Sequence, residues 1–555
     1  MPSTLETERP VVLEEAPADL QPTPLVGERW ALSMKHLLIT IWFGCFFMHF
    51  NYIPLFHSDI WGHVSYGHWI LEHQSLPTGD PFVALTEGVS IVDTAWLGQI
   101  LLASAEKIGG SEWLSHVFAV SVLLAYLVLA RVFYLQTGRS GLATIGAILV
   151  WLIGWSRHAI VRPEVFGSLC LALLLWAIVR FDKDRKRVFP SLSRQSKDWP
   201  MWIGIPLLFV AWANLHGSFV VGFGVLGCYL LGRAIEVLWS TRSIVSLIQD
   251  RVFRRWLIWT ELAVAASLLN PYGIDLLIHT LLFPGNPNLN DVLEWFRLEM
   301  VSYEGIEIGF SWVMMLVVLR HSRAKMKPSD VLLLAVFTLA ICLRVRMITW
   351  YAPIVILVLI PHLADVLKQF QAYRSRNAAI SKAAVSPEPE PLTAGSFRYT
   401  MLCGLVVWVC FAFSPISQPI LSGKPRSSDH VYSRGTPLGV TKYLREHPPQ
   451  GQIANPQWWG DWLVWDGPPN LQVFMTTNAV HVAPARIWKD YLILARGGTG
   501  MEQRLDRYRI NTIVVHKELQ PRLTRIVRRY QDWKITYEDE VGLVAVRRST
   551  SQTEE

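Results

Sequence analysis

Charge is scarce in this chain. Of its 555 residues 17% are charged, against roughly a quarter in an average soluble domain. The shortage is local: the runs Trp113–Phe133, Ala143–Trp155, Val165–Val179, Met201–Ala213 and Ile354–Leu363 hold almost no formal charge. About 20 mostly apolar residues cross a hydrocarbon core of roughly 30 Å, and a soluble core would show alternating polar faces that these runs lack. Cysteine is scarce too. All six (Cys45, Cys170, Cys228, Cys342, Cys403, Cys410) fall in apolar runs, which excludes a disulfide framework and a CxxC metal site. No P-loop, no GxSxG and no GxGxxG opening a helix occurs. His57, His63, His68 and His73 are 5–6 residues apart, unlike the pair of a HExxH zinc helix. No cleavable leader is expected, because residues 1–28 are polar and rich in Pro and Glu.

Tryptophan is abundant, with 25 residues. Trp30, Trp61, Trp113, Trp155, Trp202, Trp239 and Trp350 fall near run ends, where an amphipathic ring favours the headgroup region. Membrane spans are expected near 36–54, 113–135, 140–157, 163–181, 200–215, 218–238, 256–270, 306–320, 329–344, 348–367 and 398–417, eleven in all. Segments 182–199, 239–255, 321–328 and 368–397 carry 6, 4, 3 and 4 Lys/Arg, while 55–112 and 271–305 carry one each, Lys107 and Arg297. Basic loops stay inside, so the N-terminus is expected in the cytoplasm of a cell-membrane protein. The first loop, 55–112, and the C-terminal region then face outward. The net charge of +7 is read as loops beside anionic lipid headgroups, not as a nucleic-acid surface. Ala95–Ile108 is apolar but short and holds Gln99, Glu106 and Lys107. It is placed as a helix in the membrane surface, because a span there would invert the charge pattern.

The expected organisation is a disordered tail over 1–35, a transmembrane region over 36–420, an exported soluble α/β domain over 421–548 and a tail over 549–555. Pro387–Pro391 marks a linker before the last span. The soluble domain shows short apolar strands (Gln452–Ala454, Gln472–Met475, Thr512–Val515, Leu543–Val546) alternating with helix-like segments.

Polar residues gather on the outer side. The first loop carries His57-Ser-Asp-Ile-Trp-Gly-His63, then Leu76-Pro-Thr-Gly-Asp-Pro-Phe82 and Val92-Asp-Thr-Ala-Trp-Leu97. Outer span ends carry Arg157…Arg162-Pro-Glu164, Asn214-Leu-His-Gly217, Asn270-Pro-Tyr-Gly273 with Glu294-Trp295, and Arg344-Val-Arg346. An ionisable residue at the membrane edge is costly unless it faces a cavity or a partner. Any one cluster is explained by snorkelling arginines and helix-capping Asn or His. Five of them on one leaflet point to a shared polar cleft holding His57, His63, Asn214, His216 and Asn270. Asp59 is a candidate general base, a ligand of a divalent metal such as Mg or Mn, or an N-cap of the following helix. Arg157, Arg162, Arg344 and Arg346 offer the permanent charge and forked donors that a phosphate requires.

The first loop, with Asp59 just past span one, the Leu76–Phe82 segment and the Trp96-Leu97…Gly109-Gly110 helix, resembles the GT-C glycosyltransferases over residues 57–110. Arg162-Pro-Glu164, Asn214-Leu-His-Gly217, Asn270-Pro-Tyr-Gly273 and Glu294-Trp295 are similar to phrases in poorly characterised bacterial membrane proteins of that type. The resemblance implies a polyprenyl-phosphate- or pyrophosphate-linked sugar donor and a catalytic role for Asp59. It makes Asp80 and Asp93 possible second carboxylates and Glu164 or Glu294 a later-loop acid. Asn455-Pro-Gln-Trp-Trp-Gly-Asp-Trp462 resembles the Trp-Trp-Asp-Tyr-Gly signature of oligosaccharyltransferase catalytic subunits. Here Gly460 precedes Asp461 and the Tyr-Gly end is replaced, so Trp458, Trp459 and Asp461 are acceptor-binding or packing residues. Ile60 after Asp59 departs from the Asp-Glu pair of the protein mannosyltransferases.

The leading expectation is a helical, GT-C-like membrane glycosyltransferase with a C-terminal α/β domain. It moves a sugar from a polyprenyl carrier to a glycan, lipid or protein acceptor outside the membrane. The rivals are a non-catalytic assembly or binding protein and a transporter of lipid-linked saccharide. The transporter would place charge at mid-membrane and show paired interrupted helices, whereas here charge keeps to membrane edges.

Overall fold

A computed structural model describes residues 31–157, 160–187, 199–381, 395–424 and 426–548. Residues 1–30, the Pro387–Pro391 linker, residues 188–198 of the basic segment and the 549–555 tail lie outside the described residues.

Helices fill the chain to residue 412: α1 (Met34–Tyr52), α2 (Ile60–His73), α3 (Trp96–Gly109), α4 (Glu112–Thr137), α5 (Ser140–Ile153), α6 (Glu164–Arg187), α7 (Trp199–Leu215) and α8 (Phe219–Thr241). There follow α9 (Ile244–Gln249), α10 (Arg251–Ser267), α11 (Ile274–Leu282), α12 (Tyr303–His321), α13 (Pro328–Leu343), α14 (Ile348–Ser381) and α15 (Phe397–Ala412). Four stretches are long and apolar enough to cross a membrane: α4, the Glu164–Asp182 part of α6, α8, and Val345–Ser375 around α14. A fifth is Phe397–Ala412 with Pro415–Leu421, a pair bent by 82°. Helices α5 and α13 and parts of α7 and α11 are apolar but shorter. Helices α1, α10 and α12 fall outside both groups, since α1 carries Lys35, His36, His49 and Asn51 and α10 opens on Arg251, Arg254 and Arg255. Helix α3 has 14 residues, about 21 Å at 1.5 Å per residue, too short for a bilayer core.

Helices α2 and α3 form a tight hairpin over the bundle. A Cβ on Gly67 would sit 2.2 Å from the Gln99 carbonyl oxygen, so only glycine allows this approach. His68 and Glu106 pair across it at 2.8 Å. The breaks between other helices are where arginines collect. Helix α13 ends at Leu343, Val345–Met347 forms one 3-10 turn, and α14 starts at Ile348. Such breaks leave backbone groups unpaired and admit polar side chains.

The C-terminal region adds α16 (Gln418–Leu421), α17 (Ser428–Val431), α18 (Leu438–Glu446), α19 (Gln457–Asp466), α20 (Ala485–Arg496), α21 (Met501–Arg507) and α22 (Pro521–Arg529). Its strands β1 (Gln452–Ala454), β2 (Gln472–Val473), β3 (Thr512–His516), β4 (Trp533–Glu538) and β5 (Gly542–Arg547) form one sheet in the order β2-β1-β3-β5-β4. Strands β2, β1 and β3 are parallel, and β5 and β4 return antiparallel. Central β3 is buried throughout, while edge strand β4 alternates, as one covered and one wet face require. Helix α19 of this region docks on α2 of the hairpin. Trp61 is wholly buried, with ring centroids 4.2 Å from Trp465, 4.9 Å from Trp462 and 5.7 Å from Tyr432. The sequence places Trp61 and Trp350 at the headgroups, and the structure corrects both. Trp61 is the keystone between the two regions, and Trp350 is buried beside the outer cavity. Of the described members of that expected set, Trp155, Trp202 and Trp239 are exposed, at 50%, 36% and 86%.

Candidate active site

Between the helical region and Gln457, Thr477, Asn478, Val480 and His481 of the C-terminal region lies a cavity of about 330 Å³. One of its sides is built from charge. The Arg162 Nε–H is shared by both Asp59 oxygens at 2.9 and 2.8 Å. Its Nη1 reaches Glu294 at 2.7 Å. Glu294 also accepts from Arg157 at 2.9 Å and faces Arg346 at 3.3 Å. Arg346 lies 3.6 Å from Glu164 and 4.6 Å above the Trp295 ring. Arg344 donates to the Trp295 and Pro284 carbonyls. Burial opposes ionisation of Glu294, but Arg162, Arg346 and Arg157 outweigh it and hold its carboxyl well below its ordinary range. Four arginines thus meet three carboxylates, leaving one positive charge uncompensated within this group. Asp59 stands at the N-cap of α2, yet its side chain makes no capping hydrogen bond. Its carboxylate turns to Arg162 instead.

A second part of its lining, around Asp93, Gln99 and His63, gathers no arginine. Asp93 Oδ1 accepts from the Ala95 N–H and from Gln99 Nε2, both at 3.0 Å. Gln99 Nε2 also lies 3.3 Å from His63 Nδ1. Burial pushes Asp93 up to about 6 and His63 down to about 4. His63 is therefore neutral near pH 7, with Nδ1 as the acceptor and its hydrogen on Nε2. His216 lines the cavity and bonds Ser218 at 2.9 Å.

Asp59, His63, Asp93, Arg162, Glu164, His216, Glu294, Arg344 and Arg346 all border this cavity although their positions span nearly 290 residues. Other sequence candidates lie elsewhere. Asn214 is structural, accepting from the Trp96 indole and donating to the Val210 and Leu269 carbonyls. Asn270 forms a local turn, accepting from the Tyr272 N–H at 2.8 Å. His57 bonds Ser433 at 3.2 Å on the C-terminal region. None of these three borders the cavity, so their place in a polar cleft is corrected. Asp80 Oδ1 accepts from Phe82 and Val83 N–H groups in its own turn. Arg157 and Arg162 border a second, mostly apolar cavity of about 80 Å³ that runs between α4, α5, α6 and α14.

The WWGDW segment forms the start of α19 and packs inward. Trp459 is fully buried, donating to the Gly435 carbonyl at 3.0 Å, and Trp458 is half-buried beside His516. Asp461 is 1% exposed and accepts from the Thr477 N–H at 2.8 Å. Burial first, then the Asp59 and Asp80 charges, push it up to about 7. A Cβ on Gly62 would lie 2.2 Å from both Asp461 Oδ1 and Asn478 Nδ2. Gln99, Gln457, Asn478 and His481 also line the cavity and were absent from the sequence-derived site residues. Neutral amides carry no signature, and only the out-of-place Gln99 in an apolar helix gave a hint. Among the described residues no three His, Cys, Asp or Glu side chains are grouped to hold a metal. The Asp59 carboxylate is also committed to Arg162. No step below uses a metal ion.

No family model matches the chain, and no curated protein sequence matches it. Solved structures do. The oligosaccharyltransferase of Archaeoglobus fulgidus in its apo form aligns with a TM-score of 0.52 at 12% identity, over 87% of this chain and 69% of that one. The same organism's AglB, in complex with an inhibitory peptide and a dolichol-phosphate, aligns at 0.54 with the same identity and coverage. ArnT from Cupriavidus metallidurans, bound to undecaprenyl phosphate, aligns at 0.50 and 12% identity, over 93% and 98%. The chain has a GT-C-like fold.

Proposed function

We propose that this protein is a glycosyltransferase that moves a sugar from a polyprenyl-phosphate carrier to an acceptor at the outer face of the cell membrane. One observation carries the reading. Arg162 borders both a polar cavity large enough for a small ligand and an apolar groove between the helices, which Arg157 also borders. A ligand with an anionic centre, an apolar tail and a polar head matches that sequence of environments. The neighbours' titles name a dolichol-phosphate and undecaprenyl phosphate, which supports the same class here.

In this reading the arginines hold the phosphate, and Asp59 accepts the proton of the acceptor hydroxyl. The acceptor oxygen attacks the anomeric carbon from the face opposite the phosphate. The bond from that carbon to the phosphate oxygen breaks, and the carrier phosphate leaves with its charge on the arginines. Arg162 orients Asp59. One N–H spans both oxygens, so outer lone pairs remain for the hydroxyl. With the eleven spans expected from the sequence and the N-terminus inside, this cavity would face the outer leaflet. Single cysteines at Ser240 and Ser428 in a cysteine-free background test that placement. Impermeant thiol reagents on intact cells are expected to label the second and spare the first, and the reverse pattern overturns it.

The direct test uses the purified chain in nanodiscs. Undecaprenyl phosphate is expected to bind, undecaprenol to bind far more weakly, and Arg346→Ala to abolish the difference. Equal binding of the two lipids by the wild type refutes the carrier reading.

A further inference from the structure

We infer that Asp93, Gln99 and Asn478 form the wall that recognises the sugar of the lipid-linked donor, and that the C-terminal domain therefore supplies part of donor specificity. This rests on the carrier reading above and adds to it the side of the cavity on which the sugar sits. Among the cavity-lining side-chain atoms buried without a hydrogen-bond partner are Asp93 Oδ2, Gln99 Oε1 and Asn478 Nδ2. All three residues border the same cavity. A buried polar atom left unmade costs free energy that a ligand restores on binding. Two of the orphans accept and one donates, which is the complement of neighbouring hydroxyls on a sugar ring.

The geometry fixes them. Asp93 Oδ1 is held by the Ala95 N–H and by Gln99 Nε2, so Oδ2 and Oε1 are left over by the same bonds that orient their side chains. His63 stands in the same relay through Gln99. Asn478 arrives from the C-terminal domain and stands over Gly62, the residue before His63. Burial removes the charge from His63 and raises Asp93 only to about 6, so this side carries one carboxylate and no cation, while the arginine side gathers four guanidinium groups. A donor bridging the two puts its phosphate on one and its hydroxyls on the other.

The test compares undecaprenyl phosphate with a set of undecaprenyl-phosphate hexoses, titrated against the full chain in nanodiscs by native mass spectrometry. At least one hexose lipid is expected to bind wild type roughly tenfold tighter than the bare carrier, the scale of one or two restored buried hydrogen bonds. Gln99→Ala and Asn478→Ala are each expected to erase most of that gain. Bare-carrier binding is expected to stay within about twofold, which also shows that the variants fold. A wild type that binds every hexose lipid no better than the bare carrier overturns the sugar wall while leaving the carrier reading intact. A wild type that binds neither lipid overturns the carrier reading itself. Variants that weaken both lipids alike, or neither, also refute the assignment. The case of unchanged lipid binding with slowed transfer gives the wall to the acceptor instead.

Discussion

The two walls of the cavity answer the same problem, polar groups in a dry place, in opposite ways. On the arginine wall every carboxylate has a cation within 3.6 Å, so the network is complete before any ligand arrives. On the amide wall three atoms stay unmatched. A self-satisfied charge network is costly to cut, because removing one partner strands a buried charge. An unmatched neutral atom has already accepted its cost, so truncating it changes ligand binding more than folding. The first wall is built to persist, the second to recognise.

The largest effect expected from this contrast follows Arg162→Ala. It strands Asp59 and takes one of three cations from Glu294, with an expected loss of about 3 kcal/mol of stability and of all measurable transfer. Thermal unfolding in detergent, read with a transfer assay, checks both. A second change, Asp59→Asn, made in the Arg162→Ala background, is expected to restore much of the stability and none of the activity. A stable, active Arg162→Ala protein breaks the contrast. Next in size is Asp59→Asn alone. Asn serves about as well as Asp in the N-cap position, and the Asp59 side chain caps nothing, so the helix is indifferent. Transfer is expected to fall roughly 100-fold or more, the scale for losing a general base, at normal expression. Wild-type turnover in that variant moves the assignment to Asp93 or to a non-catalytic protein.

The arginine wall is the part the sequence made legible. Arg162-Pro-Glu164 and Arg344-Val-Arg346 stand out because fixed charge at the end of an apolar run needs an explanation. The same logic misled at Asn214 and Asn270. An Asn at a helix end looks alike whether it caps, turns or binds, and both turned out to serve the backbone. The amide wall was nearly invisible. Asn478 reaches the cavity only because a domain more than 300 residues downstream of the first loop docks on Trp61, and docking leaves no local pattern. The two-part architecture was readable from composition, since apolar runs stop where short strands begin. Helices α1, α10 and α12 are less apolar than the spans expected there, because arginines, histidines and polar groups enter them.

A smaller effect separates Asp461 from the ionised carboxylates. In the unfolded chain an Asp titrates near 3.9, and in the folded protein Asp461 is raised to about 7. Between those values the folded state holds the extra proton, so stability falls as pH rises from about 4 to about 7. Asp93, raised to about 6, adds to the same slope. Asp461→Asn is expected to flatten, not abolish, the decline and to melt above wild type at pH 8. Tryptophan fluorescence melts at pH 5, 6, 7 and 8 provide the measurement. An unchanged slope means that the docked domain does not bury this group as a neutral acid.

The smallest effect is expected at Asp80, which sits in the same first loop and was a candidate second carboxylate. Its Oδ1 accepts from the Phe82 and Val83 N–H groups, a turn-forming bond that Asn makes equally well. It does not border the cavity, and burial raises its carboxyl above the ordinary value. Asp80→Asn therefore removes a charge that folding disfavours and retains the acceptor that folding uses. Stability is expected to stay within roughly 0.5 kcal/mol of wild type, the usual range away from special sites, and transfer within about twofold. The comparison that decides is Asp80→Asn against Asp59→Asn in one assay. Equal, large losses in both would mean that the first loop's carboxylates act as a group and that bordering the cavity is not what makes one of them matter. A loss at Asp59 alone ties the chemistry to the carboxylate that Arg162 holds at the cavity edge.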